Sequence, residues 1–155
     1  MTIDCLQLKN EIIIPTLAKL KLNSDAAVNL ILGTAAQESH LGTYIKQIKG
    51  PALGIYQIEP ATHIDLYKNY LNYRDSLKKK VQSFLIDGLT MDENLVGNLY
   101  YSTALCRIVY FRVKEKLPLP SNISALGEYW KIYYNTCEGS GTVSDFIKNY
   151  IKYIQ

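Results

Sequence analysis

The stretch AAQESHLGTYIKQIKGPALGIYQIEPATH, Ala35 to His63, decides how the rest of the chain is read. It opens as the end of an apolar helical run, stops at Gly42, changes period, and restarts at Pro60. Two carboxylates mark its joints, Glu38 before the stop and Glu59 immediately before the proline. Either they face one cleft as a reacting pair, or they are a surface residue and a helix cap.

Upstream, Ser24 is placed to cap a helix over about Asp25 to Leu41, with Asp25 in its first turn and Gly42 as its stop. Its apolar stripe runs Ala27, Leu30, Ile31, Thr34, Ala35, and the next position on that stripe is Glu38. A carboxylate there is expensive to bury as an ion, and the last turn of a helix disfavours negative charge. Both effects raise its pKa, as a general acid working near neutral pH requires. The plainer alternative is a side chain that reaches solvent or pairs with Lys46 or Lys49.

Working outward, IDCLQLKNEIIIPTLAKLKL is expected to be helix, kinked or divided at Pro15. Thr43 to Ile58 reads as a small β-hairpin or extended loop around KGPALG. Helices then follow over about Pro60–Leu71, Asp75–Ile86 and Asp92–Val113, the last with Leu95, Leu99, Thr103, Cys106 and Tyr110 on one face. KLPLPSN is a loop, and Ser121 can cap a helix reaching Asn135. Gly139 and Gly141 precede a last helix, Val143 to Ile154. The expected architecture is mostly α, about six to eight helices with one small β element, in a single domain over residues 1–155.

Bulk properties narrow the function classes. A net charge of +3 and no basic face with interleaved aromatics argue against nucleic acid, while mild basicity suits an acidic polymer such as a bacterial wall. Cys5, Cys106 and Cys137 are widely spaced and match no metal pattern, so free thiols, no metal and no cofactor are expected. No apolar run approaches the roughly 18 residues that a membrane span needs, and membrane insertion is not expected. MTIDCLQLKN lacks the features of a signal peptide, so a chain made in a cytoplasm is expected. Thirteen tyrosines suit either half-buried helix packing or a wet, sugar-lined groove.

QESHLG followed by GPALGIYQIEPAT resembles the lysozyme-like superfamily of soluble lytic transglycosylases and goose-type lysozymes. Those proteins carry a helix-ending Glu-Ser, a Gly-x-x-Gln turn and a Pro-Ala-Thr helix start. EYWKIYYNTCEG resembles their third motif, and NLYYSTALCRIVYFRV stands where they have a long central helix. The likeness runs from about Ser24 to Tyr150, with three motifs in order. It implies a lysozyme-like fold acting on peptidoglycan glycan strands, with Glu38 as catalytic acid at the N-acetylmuramic acid–N-acetylglucosamine bond. It further implies Ser39 supporting the Glu38 loop, Gly54 and Gln57 in the second motif with Gln57 touching sugar, and Tyr134 orienting the acid with Asn135 beside it. Tyr56 stands where methionine is common, and Thr136 and Cys137 where Ala-Gly is preferred, so the sugar subsites are expected to differ. The C-terminal half is also similar to small phage wall-degrading proteins. That implies holin-type release or a place in the virion beside other phage virion proteins.

Glu59 bears on the reaction. As a cap it would serve the positive end of the following helix. QIE, Gln57 to Glu59, instead resembles the goose-type pattern, whose acidic residue holds water, and His63 stands where that family also has a histidine. Inverting hydrolysis needs a second carboxylate about 6.5–9.5 Å from the acid. A lytic transglycosylase needs none, because the muramoyl 6-hydroxyl attacks and leaves a 1,6-anhydro end. The reading favours hydrolysis, with transglycosylation second and a non-catalytic wall-binding or virion protein third. His63 is either an ordinary helix residue or a proton shuttle.

Overall fold

In the computed structural model, which describes residues 1–155, the segment from Ser24 folds around its cap. Ser24 Oγ accepts from the Ala27 amide at 3.1 Å and starts helix α2, Asp25–Ser39. Before it, Cys5–Gln7, Leu8–Ile13 and Ile14–Leu20 form one continuous helix, α1. Pro15 does not break α1. The turns ahead of it widen to π geometry, with the Ile14 amide bonding back to the Lys9 carbonyl, which accommodates a residue that has no N–H to give.

Six helices follow: α3 (Pro60–Asn69), α4 (Asp75–Gln82), α5 (Met91–Gly97), α6 (Leu99–Phe111), α7 (Ile123–Trp130, extended by a π turn over Lys131–Asn135) and α8 (Val143–Ile154). The chain is thus mostly helical, as the sequence pattern implied. No helix is long and apolar enough to cross a membrane. In place of a hairpin, residues 43–58 hold only two isolated antiparallel bridges, Lys46 with Leu53 and Leu53 with Ile58. Their KGPALG turn is too tight and too glycine-rich to extend either into a ladder.

Several helix ends differ from the sequence reading. α2 stops at Ser39, two residues early, because His40 and Leu41 already turn left-handed ahead of Gly42. The helices expected to reach Leu71 and Ile86 end at Asn69 and Gln82. The long helix expected from Asp92 to Val113 is two helices. Asn98 divides them: its Oδ1 caps α6 at the Tyr101 amide, and its Nδ2 donates to the Phe84 carbonyl at 2.7 Å. A side chain that satisfies the backbone locally competes with helix continuation. The cap of α7 is likewise Asn122, not Ser121.

Helices α2 and α6 are buried around nearly their whole circumference, so each runs through the core instead of lying on it. Small residues let neighbours close onto α2. Gly33 is the tightest of these: a Cβ there would stand 2.4 Å from Phe146 Cζ of α8, whose ring is fully buried. Replacing Gly33 by alanine should therefore push α8 off α2 and lower stability by about 2 kcal/mol. Urea denaturation followed by helical circular dichroism measures this. A loss no larger than that of an exposed substitution would mean that the contact is soft.

Candidate active site

Glu38 lies in the last turn of α2, and the backbone after it is bent hard. His40, Leu41 and Gly42 all have positive φ, at 52°, 52° and 82°. Two non-glycine residues in this region are strained, and such strain persists only where the surroundings hold it. Ser39 does part of the holding. Its Oγ donates to the Ala35 carbonyl at 3.1 Å and accepts from the Gly42 amide at 2.9 Å. The imidazole of His40 stacks on Tyr153 with ring centroids 5.3 Å apart, and Leu41 is buried.

The turn leaves Glu38 partly buried on the wall of a groove of about 760 Å³. Trp130 Nε1 donates to Glu38 Oε1 at 2.9 Å. Burial pushes the carboxyl up from 4.5 to about 7, against the opposing pull of the indole bond. The group thus holds its proton into the neutral range because water reaches it poorly. Trp130 is itself immobile: fully buried, tilted against Phe146, and so close to Gly141 that a Cβ there would lie 2.6 Å from its ring.

The tail of α7 lines the same groove. Tyr134 stacks on Tyr110 with centroids 5.3 Å apart, and the Tyr110 hydroxyl pairs with Thr34 Oγ1 of α2 at 2.7 Å. The Tyr134 hydroxyl donates to the Tyr56 carbonyl at 2.6 Å, which fastens the Gly54–Gln57 turn to α7. Burial, followed by the nearby Cys106 and Glu38, drives that phenol well above its ordinary pKa, so it stays neutral. Asn135 Oδ1 accepts from Lys131 Nζ at 2.7 Å, and the same ammonium holds the Gly139 carbonyl at 2.8 Å, tying down the lip of the groove. Gln57 donates its Nε2 to the Gly54 carbonyl at 2.8 Å, leaving Oε1 as an acceptor on the wall.

Five of the nine residues singled out from sequence line this groove: Glu38, Gln57, Glu59, Tyr134 and Asn135. Glu59 occupies the N-cap position of α3, yet its side chain makes no capping bond and is exposed. The other four lie behind the wall. Tyr56, expected to touch substrate, is fully buried, with its hydroxyl 2.8 Å from Thr103 Oγ1. His63 is also buried, its Nε2 2.7 Å from the Tyr101 hydroxyl, and burial pulls its pKa down. It is a neutral packing residue and not a shuttle into the groove. Gly54 is required by backbone: φ is +74°, and a Cβ would meet the Leu95 carbonyl oxygen at 2.1 Å. Ser39 is buried beneath the wall, bonded to Ala35 and Gly42.

Sequence reading passed over Trp130, Gln37 and Glu138, all on the groove. Trp130 was the most accessible of them: the chain's single tryptophan, four residues before Tyr134 and so on the same helix face. Gln37 is held by Asn149 of α8, 2.7 Å from its Oε1, a contact that no local pattern encodes. No cluster of three or more His, Cys, Asp or Glu side chains suited to a metal is present. A scan against protein-family models and searches of curated proteins and of solved structures return no match to this chain.

The raised pKa of Glu38 has a signed consequence for stability. The folded state binds this proton more tightly than the unfolded chain, so its contribution is complete below about pH 4.5 and is lost as pH rises through about 7. Glu38→Gln keeps an acceptor for Trp130 but cannot ionise. Its stability relative to the parent should rise by about 2 kcal/mol between pH 4 and pH 8.5, a figure discounted for partial exposure. Denaturant titrations at both pH values measure the change, and a pH-independent difference would mean that Glu38 ionises as an ordinary surface carboxylate.

Proposed function

We propose that this protein is a peptidoglycan-cleaving glycosidase, a muramidase in which Glu38 protonates the oxygen of the β-1,4 bond between N-acetylmuramic acid and N-acetylglucosamine. The observation that carries the reading is a carboxyl group with pKa near 7, on the wall of a polar groove, held by a rigid indole N–H. With Oε1 taken by Trp130, Oε2 is left to carry the proton. Delivered to the bridging oxygen, that proton neutralises the leaving group as the C1–O bond breaks. The wall around it offers the Gln57 carbonyl, Asn135 and the hydroxyls of Thr62, Thr136 and Ser140, groups matched to a sugar's hydroxyl and acetamido substituents. Groove size falls within the usual range for bound ligands.

Glu59 supplies the second half of a hydrolytic reaction. It lines the same groove as Glu38, and its exposed carboxyl is open to a water held there. It would take a proton from water as that water attacks C1 from the opposite face of the sugar. A second reading draws on the same exposure: the Glu59 carboxylate makes no hydrogen bond that would fix it for positioning water. Under that reading Glu38 acts alone. Once it has given up its proton, it accepts the one from the muramoyl 6-hydroxyl, whose oxygen closes on C1 as a lytic transglycosylase requires.

The expected substrate implies action on the cell wall after release from the host cytoplasm, or from within a virion.

Glu38→Gln should reduce release of fragments from purified sacculi by about 10²–10⁴-fold with an unchanged circular dichroism spectrum. Parent activity should fall as pH rises through about 7, where the acid loses its proton. Mass spectrometry of the products separates the two reactions. Reducing muramic ends accompanied by loss of activity in Glu59→Gln mark hydrolysis; products lighter by one water, with Glu59→Gln active, mark transglycosylation. Sacculus binding without any fragments, indifferent to Glu38→Gln, would overturn both in favour of a wall-binding or virion structural role.

A further inference from the structure

Among the large apolar side chains that reach solvent, Tyr44 and Ile48 stand apart because both line the Glu38 groove. Tyr44 is 40 % exposed and Ile48 69 %. The other large apolar groups on that wall are Ile58, Val109 and Trp130, which are buried, and Tyr134, which is half-buried. Exposed apolar residues scattered singly are ordinary. Two on one loop, lining one groove, make an apolar ledge open to whatever fills it.

The loop that carries the ledge is pinned along its length. The Tyr44 amide donates to the Ser39 carbonyl at 3.3 Å, and the Ile45 carbonyl accepts from the Gly54 amide at 2.8 Å. The Gln47 amide donates to the Ala52 carbonyl at 2.8 Å, and Gln47 Oε1 accepts from the Ala52 amide at 3.2 Å. The Tyr44 ring stands edge-on to the His40 imidazole, with centroids 5.8 Å apart, and His40 in turn stacks on Tyr153 of α8. Tyr44 is thus braced against the strained turn that follows Glu38. A surface set in place beforehand gives up little freedom when a ligand binds.

We infer that Tyr44 and Ile48 form the platform for the apolar face of a pyranose ring, at a sugar position beside the bond that Glu38 protonates. The inference rests on the glycosidase reading above and adds to it two residues that carry affinity, not chemistry. In a β-1,4-linked N-acetylhexosamine the ring substituents are equatorial, so each face of the ring presents C–H groups. An aromatic ring covers such a face with apolar area and a negative π surface. Gln47 and Gln57, on the same wall, offer amide groups to the hydroxyls at the sugar's rim. The Tyr44 amide is bonded to the residue directly after the acid, which sets the ledge against the sugar chain and not against the stem peptide hanging from it.

Calorimetric titration of the full-length Glu38→Gln protein with the β-1,4-linked N-acetylglucosamine tetramer tests the platform without turnover. Adding Tyr44→Ala should weaken binding about tenfold, whereas Tyr44→Phe, which keeps the ring, should stay within about twofold. Ile48→Ser, a change at a side chain held mostly in water, should weaken it about threefold. With Glu38 intact, Tyr44→Ala should raise KM on sacculi and leave kcat near that of the parent. Tetramer binding indifferent to both Tyr44→Ala and Ile48→Ser would overturn the platform, as would no tetramer binding at all. A loss confined to peptide-bearing muropeptides would overturn it in favour of a stem-peptide contact. Tyr44-dependent tetramer binding by a protein that cuts no sacculi would keep the platform and remove the cleavage reading. Sacculi cut with the parent's KM by both variants would do the reverse.

Discussion

The hydrogen bond from the Trp130 indole to the Glu38 carboxyl is the constraint on which the groove depends. It joins the last turn of a helix buried on every side to the end of another, and its donor cannot ionise. A lysine or arginine in that place would pull the carboxyl toward its charged form. The indole holds an oxygen in place while leaving burial to dominate the protonation equilibrium, which is why the pKa moves upward despite the bond. Phe146 and the bare backbone of Gly141 fix the indole in turn, so the position of the acid is determined by packing more than by charge.

Behind this pair the tyrosines form the framework. Thr34, Tyr110 and Tyr134 connect α2, α6 and α7 through a hydroxyl pair and a ring stack, and the phenol of Tyr134 reaches the turn that carries Gln57. Of the thirteen tyrosines, only Tyr44 and Tyr134 line the groove. Seven of them place the hydroxyl in a hydrogen bond within the protein, so their abundance reflects helix packing more than the groove. The phenol supplies apolar area and one directional bond, which suits joints between helices that meet at irregular angles.

Much of this was legible in the chain itself. Ser24 and the apolar run after it announce α2, and the position of Glu38 on that run carries the expectation of a perturbed carboxyl. The Pro60 restart and the last helix also follow from local chemistry. What escaped was tertiary. Asn98 looks like one polar residue in a long periodic stretch, and only its bonds to Phe84 and Tyr101 reveal it as a divider. His63 sits on the buried face of α3, and Tyr56 stands beside Gln57 in sequence but its side chain turns away from the groove. Adjacency along an irregular turn does not specify facing, because the alternation that would settle it is missing from residues 43–58. Trp130 was overlooked because a large aromatic is expected in the core, and it is in the core; only its N–H reaches the groove.

A helix that is apolar all round has no wet side to settle its azimuth. Amphipathicity, the usual guide to rotational phase, leaves α2 nearly free to spin about its axis. The notch at Gly33 and the hydroxyl of Thr34 remove that freedom, since one receives the Phe146 and Tyr150 rings of α8 and the other pairs with Tyr110 of α6. Each residue advances the helix by roughly 100°, so a slip of a single position would swing Glu38 from the groove into hydrocarbon. The bearing of the acid is thus set more than a turn away, by the absence of one methyl group and the presence of one oxygen.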